Sequence, residues 1–162
     1  MFILGHLGFG TRLAQGQIKH LPRKAFWLGC LLPDLIDKAS YYTLSWSTGL
    51  QGAALPLIHG TRSLGHTLIF LALCWGLSRY KHPFFFKALT WGVVTHFVLD
   101  LITDQCTGLP HITGISHIPL LWPLSGAFPT SPHPSLSHHL LSIGHPFFIV
   151  TEILGAIALL KG

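Results

Sequence analysis

Two long runs without one charged side chain, residues 39–61 and 105–151, restrict this chain more than any motif does. Charged residues make up 9% of its 162 positions, where an average soluble chain has about 25%. A water-facing surface needs charges spread over it. Much of the chain is therefore expected to face lipid. The length suits a single domain, residues 1–162, with a core of its own.

Apolar stretches of helical length alternate with turn-forming clusters, and strand signals are weak. The pattern predicts an all-α fold, a membrane-embedded bundle of about five helices with a long irregular loop before the last. Helices are expected over residues 2–16, 25–32, 61–79 and 84–104, and from 138 or 146 to 160. The second is expected to stop at Pro33, which has no N–H for the preceding turn. Residues 41–58 read as a loop or interfacial segment, with Tyr41, Tyr42 and Trp46 suited to headgroup level. Residues 105–134, rich in Pro, Gly, Ser and His, read as a long loop of the functional kind. The first two helices are shorter than the roughly 20 residues a span requires, so some are expected to enter a bilayer only partway.

Several function classes are excluded. The net charge of +5 does not indicate nucleic acid, because the basic residues form no arginine-rich block and do not alternate with exposed aromatics. Cys30, Cys74 and Cys106 are odd in number and lack the spacing of a disulfide framework or a cysteine zinc site. Residues 1–10 carry no basic stretch ahead of their apolar run, which argues against a cleaved secretory signal. Gly-x-Ser-x-Gly and phosphate-loop motifs are absent.

The five acids, Asp34, Asp37, Asp100, Asp104 and Glu152, all lie within or beside apolar segments. In a helix His96 and Asp100, four apart, stack on one face. His66 and Asp100 are equally distant in sequence from Pro83, so in an antiparallel hairpin they reach the same level. The same bookkeeping places Arg12, Lys19, Arg23, Lys24, Arg79, Lys81, Lys87 and Lys161 towards one end and the acids with His6, His66 and His96 towards the other. By the positive-inside rule the basic turns are expected in the cytoplasm and the site towards the opposite face, or partway down. Asp104, a further turn out, reads as a helix-end or mouth residue.

His6, Asp34, Asp37, His66, His96 and Asp100 form a candidate ligand set for one or two divalent ions. Imidazole with carboxylate suits zinc, or manganese or iron when more oxygen donors join. Arg62 is suited to holding a phosphate in a bidentate grip. Asp34, Asp37 and Glu152 are candidates for proton handling, and Glu152 also for supporting a ligating histidine. Plainer readings stand beside these: Asp34 as an N-cap, Asp34 and Asp37 with Lys38 as a local ion pair, His66 as a core histidine. His111, His117, His133, His138, His139 and His145 are mostly not expected to be ligands, although His138, His145 and Glu152 share a seven-residue spacing.

The motifs Gly29-Cys30-Leu31-Leu32-Pro33-Asp34-Leu35-Ile36-Asp37-Lys38, Arg62 with Gly65-His66-Thr67-Leu68, His96-Phe97-Val98-Leu99-Asp100 and Leu121-Trp122-Pro123-Leu124, in that order, resemble the YdjM-like family of membrane-bound metal-dependent hydrolases. The resemblance implies an integral inner-membrane protein with a metal site. The chain is more distantly similar to the zinc-dependent phospholipase C and P1 nuclease group. That similarity would place ligand roles on His6, on Asp34 or Asp37, on His66, and on His96 with Asp100. The chain lacks the group's H-x-x-x-E pair on the last helix, since Glu152 lies seven residues from His145. A full trinuclear site is not expected.

The expected function is hydrolysis of a phosphoester of a lipid or lipid-linked headgroup by metal-activated water, with membrane lipid as partner and no nucleic acid. The loop of residues 105–134, with Trp122, would roof the site. The alternative from another class is a membrane protein that binds or conducts metal ions or protons through the same polar cluster. A soluble helical hydrolase associating through its apolar faces is a third.

Overall fold

The computed structural model describes residues 2–56, 58–80, 82–107, 119–124, 126, 128 and 135–161, with only the backbone of His138. Regular structure among them is helical throughout: α1 Ile3–Leu13, α2 Gln15–Ile18, α3 Arg23–Thr48, α4 Leu68–Tyr80, α5 Pro83–Thr107, α6 Leu136–Leu141 and α7 Pro146–Leu160. Single 3₁₀ turns occur at Gly52–Ala54, Leu64–His66, Pro119–Leu121 and Ser142–Gly144. The all-α expectation therefore holds, with several boundaries redrawn.

The largest correction concerns Pro33. It does not end a helix but sits inside α3, which runs unbroken for 26 residues and absorbs residues 41–48 of the expected loop. A proline in a helix interior withholds a hydrogen bond from the preceding turn. Here another helix bonds to that turn, as Nδ1 of His96 on α5 donates to the Cys30 carbonyl at 2.7 Å. The helix stops instead at Gly49, whose φ of 70° is the left-handed conformation that favours glycine. Tyr41 is consequently no headgroup residue. It is fully buried, and its hydroxyl accepts from the Gly52 N–H at 3.0 Å.

Residues 61–67 are not the first turns of a helix either. α4 starts at Leu68, where the Thr67 hydroxyl accepts the Phe70 N–H at 3.1 Å and caps the new N-terminus. α4 and α5 form an antiparallel hairpin that turns at His82, with φ 41°, followed by Pro83 at the first position of α5. At the other end of the chain His145 caps α7, its Nδ1 accepting from the Phe147 N–H.

α5 is the central helix, flanked by α3 and α4. α1 packs beside α3 and α5, and α7 lies against α1. Two crossings are closed by glycine. A Cβ on Gly29 would lie 2.1 Å from the Leu89 carbonyl oxygen, and one on Gly92 2.2 Å from that of Phe26, so α3 and α5 meet backbone to backbone. Gly8 and Gly155 do the same for α1 and α7. Around the first crossing Phe26, Cys30 and Ala88 are fully buried, while Leu89, Val93 and Phe97 of α5 pack with Cys74 of α4.

The outward faces are apolar. Leu68, Ile69, Leu73, Trp75 and Leu77 of α4 are exposed. So are Ile149, Val150, Ile153, Leu154 and Ile157 of α7. Among the described residues α5 is the one helix long and apolar enough to cross a membrane by length and composition, and half of its most apolar window is buried inside the molecule.

Candidate metal centre

Asp37 is fully buried on α3 and has both oxygens engaged. Oδ1 accepts the Gly65 N–H at 2.8 Å, and Oδ2 accepts the Ser63 N–H at 2.6 Å and Nδ1–H of His66 at 2.7 Å. These bonds fold residues 63–66 over α3 and make affordable a carboxylate that would otherwise be costly to bury. Through Oδ2 Asp37 orients His66, and these three bonds take three of its roughly four acceptor sites.

With Nδ1 of His66 donating to Asp37, Nε2 carries a bare lone pair. His96 is set the same way, because the Cys30 carbonyl can only accept and thus fixes the proton on Nδ1. The two Nε2 atoms stand 3.0 Å apart. Two neutral acceptors at that distance repel unless positive charge lies between or beside them. Asp100 Oδ2 is 3.4 Å from Nε2 of His66 and 3.6 Å from that of His96, and Asp34 Oδ1 is 3.7 Å from Nε2 of His66. Apart from Arg62, whose Nη2 lies 3.0 Å from Asp100 Oδ2, the groups facing this point are electron-pair donors.

His6 extends the pattern. It is 1% exposed and stacked on His96 at 4.2 Å, and neither ring nitrogen has a hydrogen-bond partner. Its Nε2 lies 3.4 Å from Asp100 Oδ1. An unpartnered polar group this deep costs about 1–3 kcal/mol. Two triads have ligand atoms within 4.8 Å of one another: His6, His96 and Asp100, and Asp34, His66 and His96. They share His96. Imidazoles supported by outer acceptors, with carboxylates beside them, are the donor set zinc takes, so the residues fit a divalent ion. Burial alone would lower the His66 pKa, but hydrogen bonding to Asp100 and Asp37 outweighs it and raises the value above 6.5. The site favours a cation.

Arg62 lies in the segment before the Leu64–His66 turn. Its position beside His66 comes from the fold over Asp37 and not from a shared helical face. Its Nη2 is 3.0 Å from Asp100 Oδ2 and its Nη1 bonds Asp104 Oδ2. Burial disfavours the guanidinium charge, yet the two carboxylates more than compensate and raise its pKa. A small pocket opens here, lined by Arg62, His66, Phe97, Asp100, Asp104 and Leu120. Asp104 is thus a mouth residue. The described part of the expected roof brings Pro119 and Leu120 to this pocket, while Trp122 stacks on Phe128 at 4.7 Å.

Glu152 is placed elsewhere. Its two oxygens accept the N–H groups of Leu4 and Gly5, each at 2.8 Å, which makes it the anion at the N-terminus of α1. Both of its oxygens thus hold α7 to α1, an engagement the expected proton-handling role did not include. Asp34 keeps Oδ2 on Lys38 at 2.7 Å. His145, which shares a seven-residue spacing with Glu152, caps α7 through Nδ1. His139 packs edge-on against Phe2 and Tyr42. His111, His117, His133 and the side chain of His138 lie outside the described residues.

Sequence reasoning missed the Cys30 carbonyl and the Ser63 and Gly65 amides. Pro33, three residues after Cys30, was the available signal for the first, since it disturbs the hydrogen bonds of that turn. The roof expected over residues 105–134 covered Pro119 and Leu120 only as part of the loop, without singling them out. The chain matches no protein-family model, no curated protein and no solved structure.

Proposed function

We propose that this chain is a membrane-bound metal-dependent hydrolase that cleaves a phosphoester of a lipid or lipid-linked headgroup. The observation that carries the reading is the meeting of two Nε2 lone pairs at 3.0 Å, each imposed by a partner on the opposite ring nitrogen. His6, His66, His96 and Asp100 would hold the ion, leaving Asp34 Oδ1, 3.7 Å from Nε2 of His66, free beside it. Zinc is favoured by the three imidazoles. An ion bound there supplies Lewis acidity, lowering the pKa of water and polarising a phosphoryl oxygen.

The chain's own groups divide the remaining work. Asp37 and the Cys30 carbonyl hold the two imidazoles in one tautomer. Arg62 presents a fork of donors at the pocket and takes two phosphate oxygens in place of its carboxylate partners. Asp34, with the most exposed carboxylate in the cluster at 18%, takes the proton of the attacking water while Lys38 steadies its other oxygen.

Placement in the inner membrane rests on separate support. The outer faces of α4 and α7 carry contiguous apolar side chains of a kind soluble monomers rarely expose. The α3–α5 and α1–α7 crossings use the small residues through which helices associate in lipid. α5 has the length and composition of a span, and the motifs resemble the YdjM-like family. The basic turns then face the cytoplasm.

The test is elemental analysis of detergent-purified protein, wild type against His96→Ala and Asp100→Ala, followed by assay against phosphoesters. The expected result is stoichiometric metal in the wild type, none in the variants, and hydrolysis only with metal. Absence of metal from the wild type would sink the site. Bound metal without hydrolysis of any phosphoester would move the reading to ion binding or conduction.

A further inference from the structure

Along the α4–α5 hairpin, from Leu68 to Pro83, the two helices border an open groove of about 770 Å³, within the range of ligand-binding clefts. One wall is apolar: Leu68, Leu71 and Ala72 of α4 face Val94 of α5. Towards the hairpin the lining changes to Trp75 and Trp91, then to Arg79 and Lys87. Arg79 lies over the Trp75 ring at 4.9 Å.

Among the described residues neither cation has an acidic partner. Each of the chain's five acids is engaged elsewhere: Asp34 with Lys38, Asp37 with His66, Asp100 and Asp104 with Arg62, and Glu152 with the start of α1. A groove that is apolar along its length, aromatic in the middle and doubly cationic at one end complements an anionic amphiphile. We propose that the α4–α5 groove binds an anionic phospholipid, its phosphate between Arg79 and Lys87 and an acyl chain along Leu71, Ala72 and Val94.

This site is separate from the metal centre. α4 rises about 1.5 Å per residue, so Arg79 stands roughly 16 Å from Leu68, where the helix leaves the His66 turn. A phosphate held at Arg79 is out of reach of His66 and His96. The bound lipid is therefore an accessory ligand and not the substrate. The inference rests on the membrane reading for the source of the lipid, and it does not depend on hydrolysis.

Native mass spectrometry of the full detergent-purified chain, offered phosphatidylglycerol or phosphatidylcholine, tests it. The wild type is expected to retain phosphatidylglycerol on the order of tenfold better, as two basic groups near an anionic headgroup would give. The double variant Arg79→Gln/Lys87→Gln should lose that preference, and Ala72→Trp, which fills the groove, should weaken both lipids. Metal content should be unchanged in all three proteins. Equal retention of the two lipids by the wild type, or a preference that survives in the double variant, would overturn the proposal. Loss of metal from the groove variants would overturn its separation from the centre. Because metal content and lipid retention are read independently, failure of this site and failure of the hydrolase reading are distinguishable.

Discussion

His66 and His96 approach each other nitrogen to nitrogen, 3.0 Å apart, while their outer nitrogens bond Asp37 and the Cys30 carbonyl. Each outer partner is an acceptor, so neither ring can turn a proton inward without becoming cationic. The contact thus calls for positive charge, which a proton on His66 or a bound cation supplies. The 26-residue α3 supplies both outer acceptors, Cys30 before Pro33 and Asp37 after it, so one helix sets both imidazoles.

His6 exposes the cost of this arrangement. Its buried ring nitrogens make no well-formed hydrogen bond, the nearest carboxylate oxygen, Asp100 Oδ1, lying 3.4 Å from Nε2. His6→Leu removes that penalty and should stabilise the metal-free protein by about 1 kcal/mol. The same variant should lose much of the stabilisation that added zinc gives the wild type. Melting curves with chelator and with zinc read both effects. A variant less stable than the wild type in chelator would show that His6 is satisfied without an ion.

Asp37→Asn tests the division between ligand and support. An amide keeps the size but replaces one acceptor oxygen with a donor, so it cannot take the Gly65 N–H, the Ser63 N–H and Nδ1–H of His66 together. Metal affinity should fall about 10- to 100-fold, the usual cost of losing a partner behind a ligating histidine. Competition with a chromophoric chelator measures it. Complete loss of binding would return Asp37 to the ligand set.

Much of the centre was legible from spacing, and the reasons separate the parts that were from those that were not. His66 and Asp100, equally far from Pro83, do meet at 3.4 Å, although His66 lies in the turn before α4 and its bond to Asp37, not helical register alone, sets its final position. The i, i+4 relation of His96 and Asp100 is a property of any helix. The continuity of α3 was not readable, because the rule against interior proline assumes a helix alone, and here a histidine 66 residues away bonds the disturbed turn. The role of Glu152 was hidden for a similar reason. An acid in an apolar helix with no basic neighbour looked like a ligand, whereas its partners are backbone amides of α1, which carry no sequence signature.

The pH dependence of the metal-free protein follows from His66. Its folded-state pKa is raised above the ordinary 6.5. A raised value means that the protonated form is bound more tightly in the folded state. The resulting stability is fully present below the unfolded pKa and is lost as pH rises through the folded one. Metal-free protein should therefore melt lower as pH rises past 6.5. Metal-loaded protein should show the opposite trend on the acid side, because ligands must be deprotonated to bind. Parallel curves for the two forms would contradict the shared location of proton and ion.

Glu152→Gln should separate structure from chemistry. The substitution removes the negative charge at the N-terminus of α1 and one of two acceptor oxygens, for a loss of about 1 kcal/mol. Metal content and turnover per bound metal should remain at wild-type levels. A fall in turnover with full metal content would restore a direct role in proton transfer.

The glycine crossings give the sharpest contrast between two mutations of the same kind. A methyl group on Gly155 would sit 2.3 Å from the Leu4 carbonyl oxygen, and one on Gly29 2.1 Å from that of Leu89. Both overpack a backbone contact that cannot yield without moving a helix, at a cost of about 1–3 kcal/mol or more. Their consequences for the site differ. Gly155→Ala pushes α7 from α1, so the ligand pairs between α3, α5 and the 63–66 segment should survive with only His6 of α1 disturbed, and metal affinity should fall less than in Gly29→Ala. Gly29→Ala pushes α3 from α5 one residue before Cys30, the anchor of His96, and should weaken metal binding together with stability. Thermal melts and chelator competition on the two proteins measure this directly, and equal metal affinity in both would show that His96 does not depend on its Cys30 anchor.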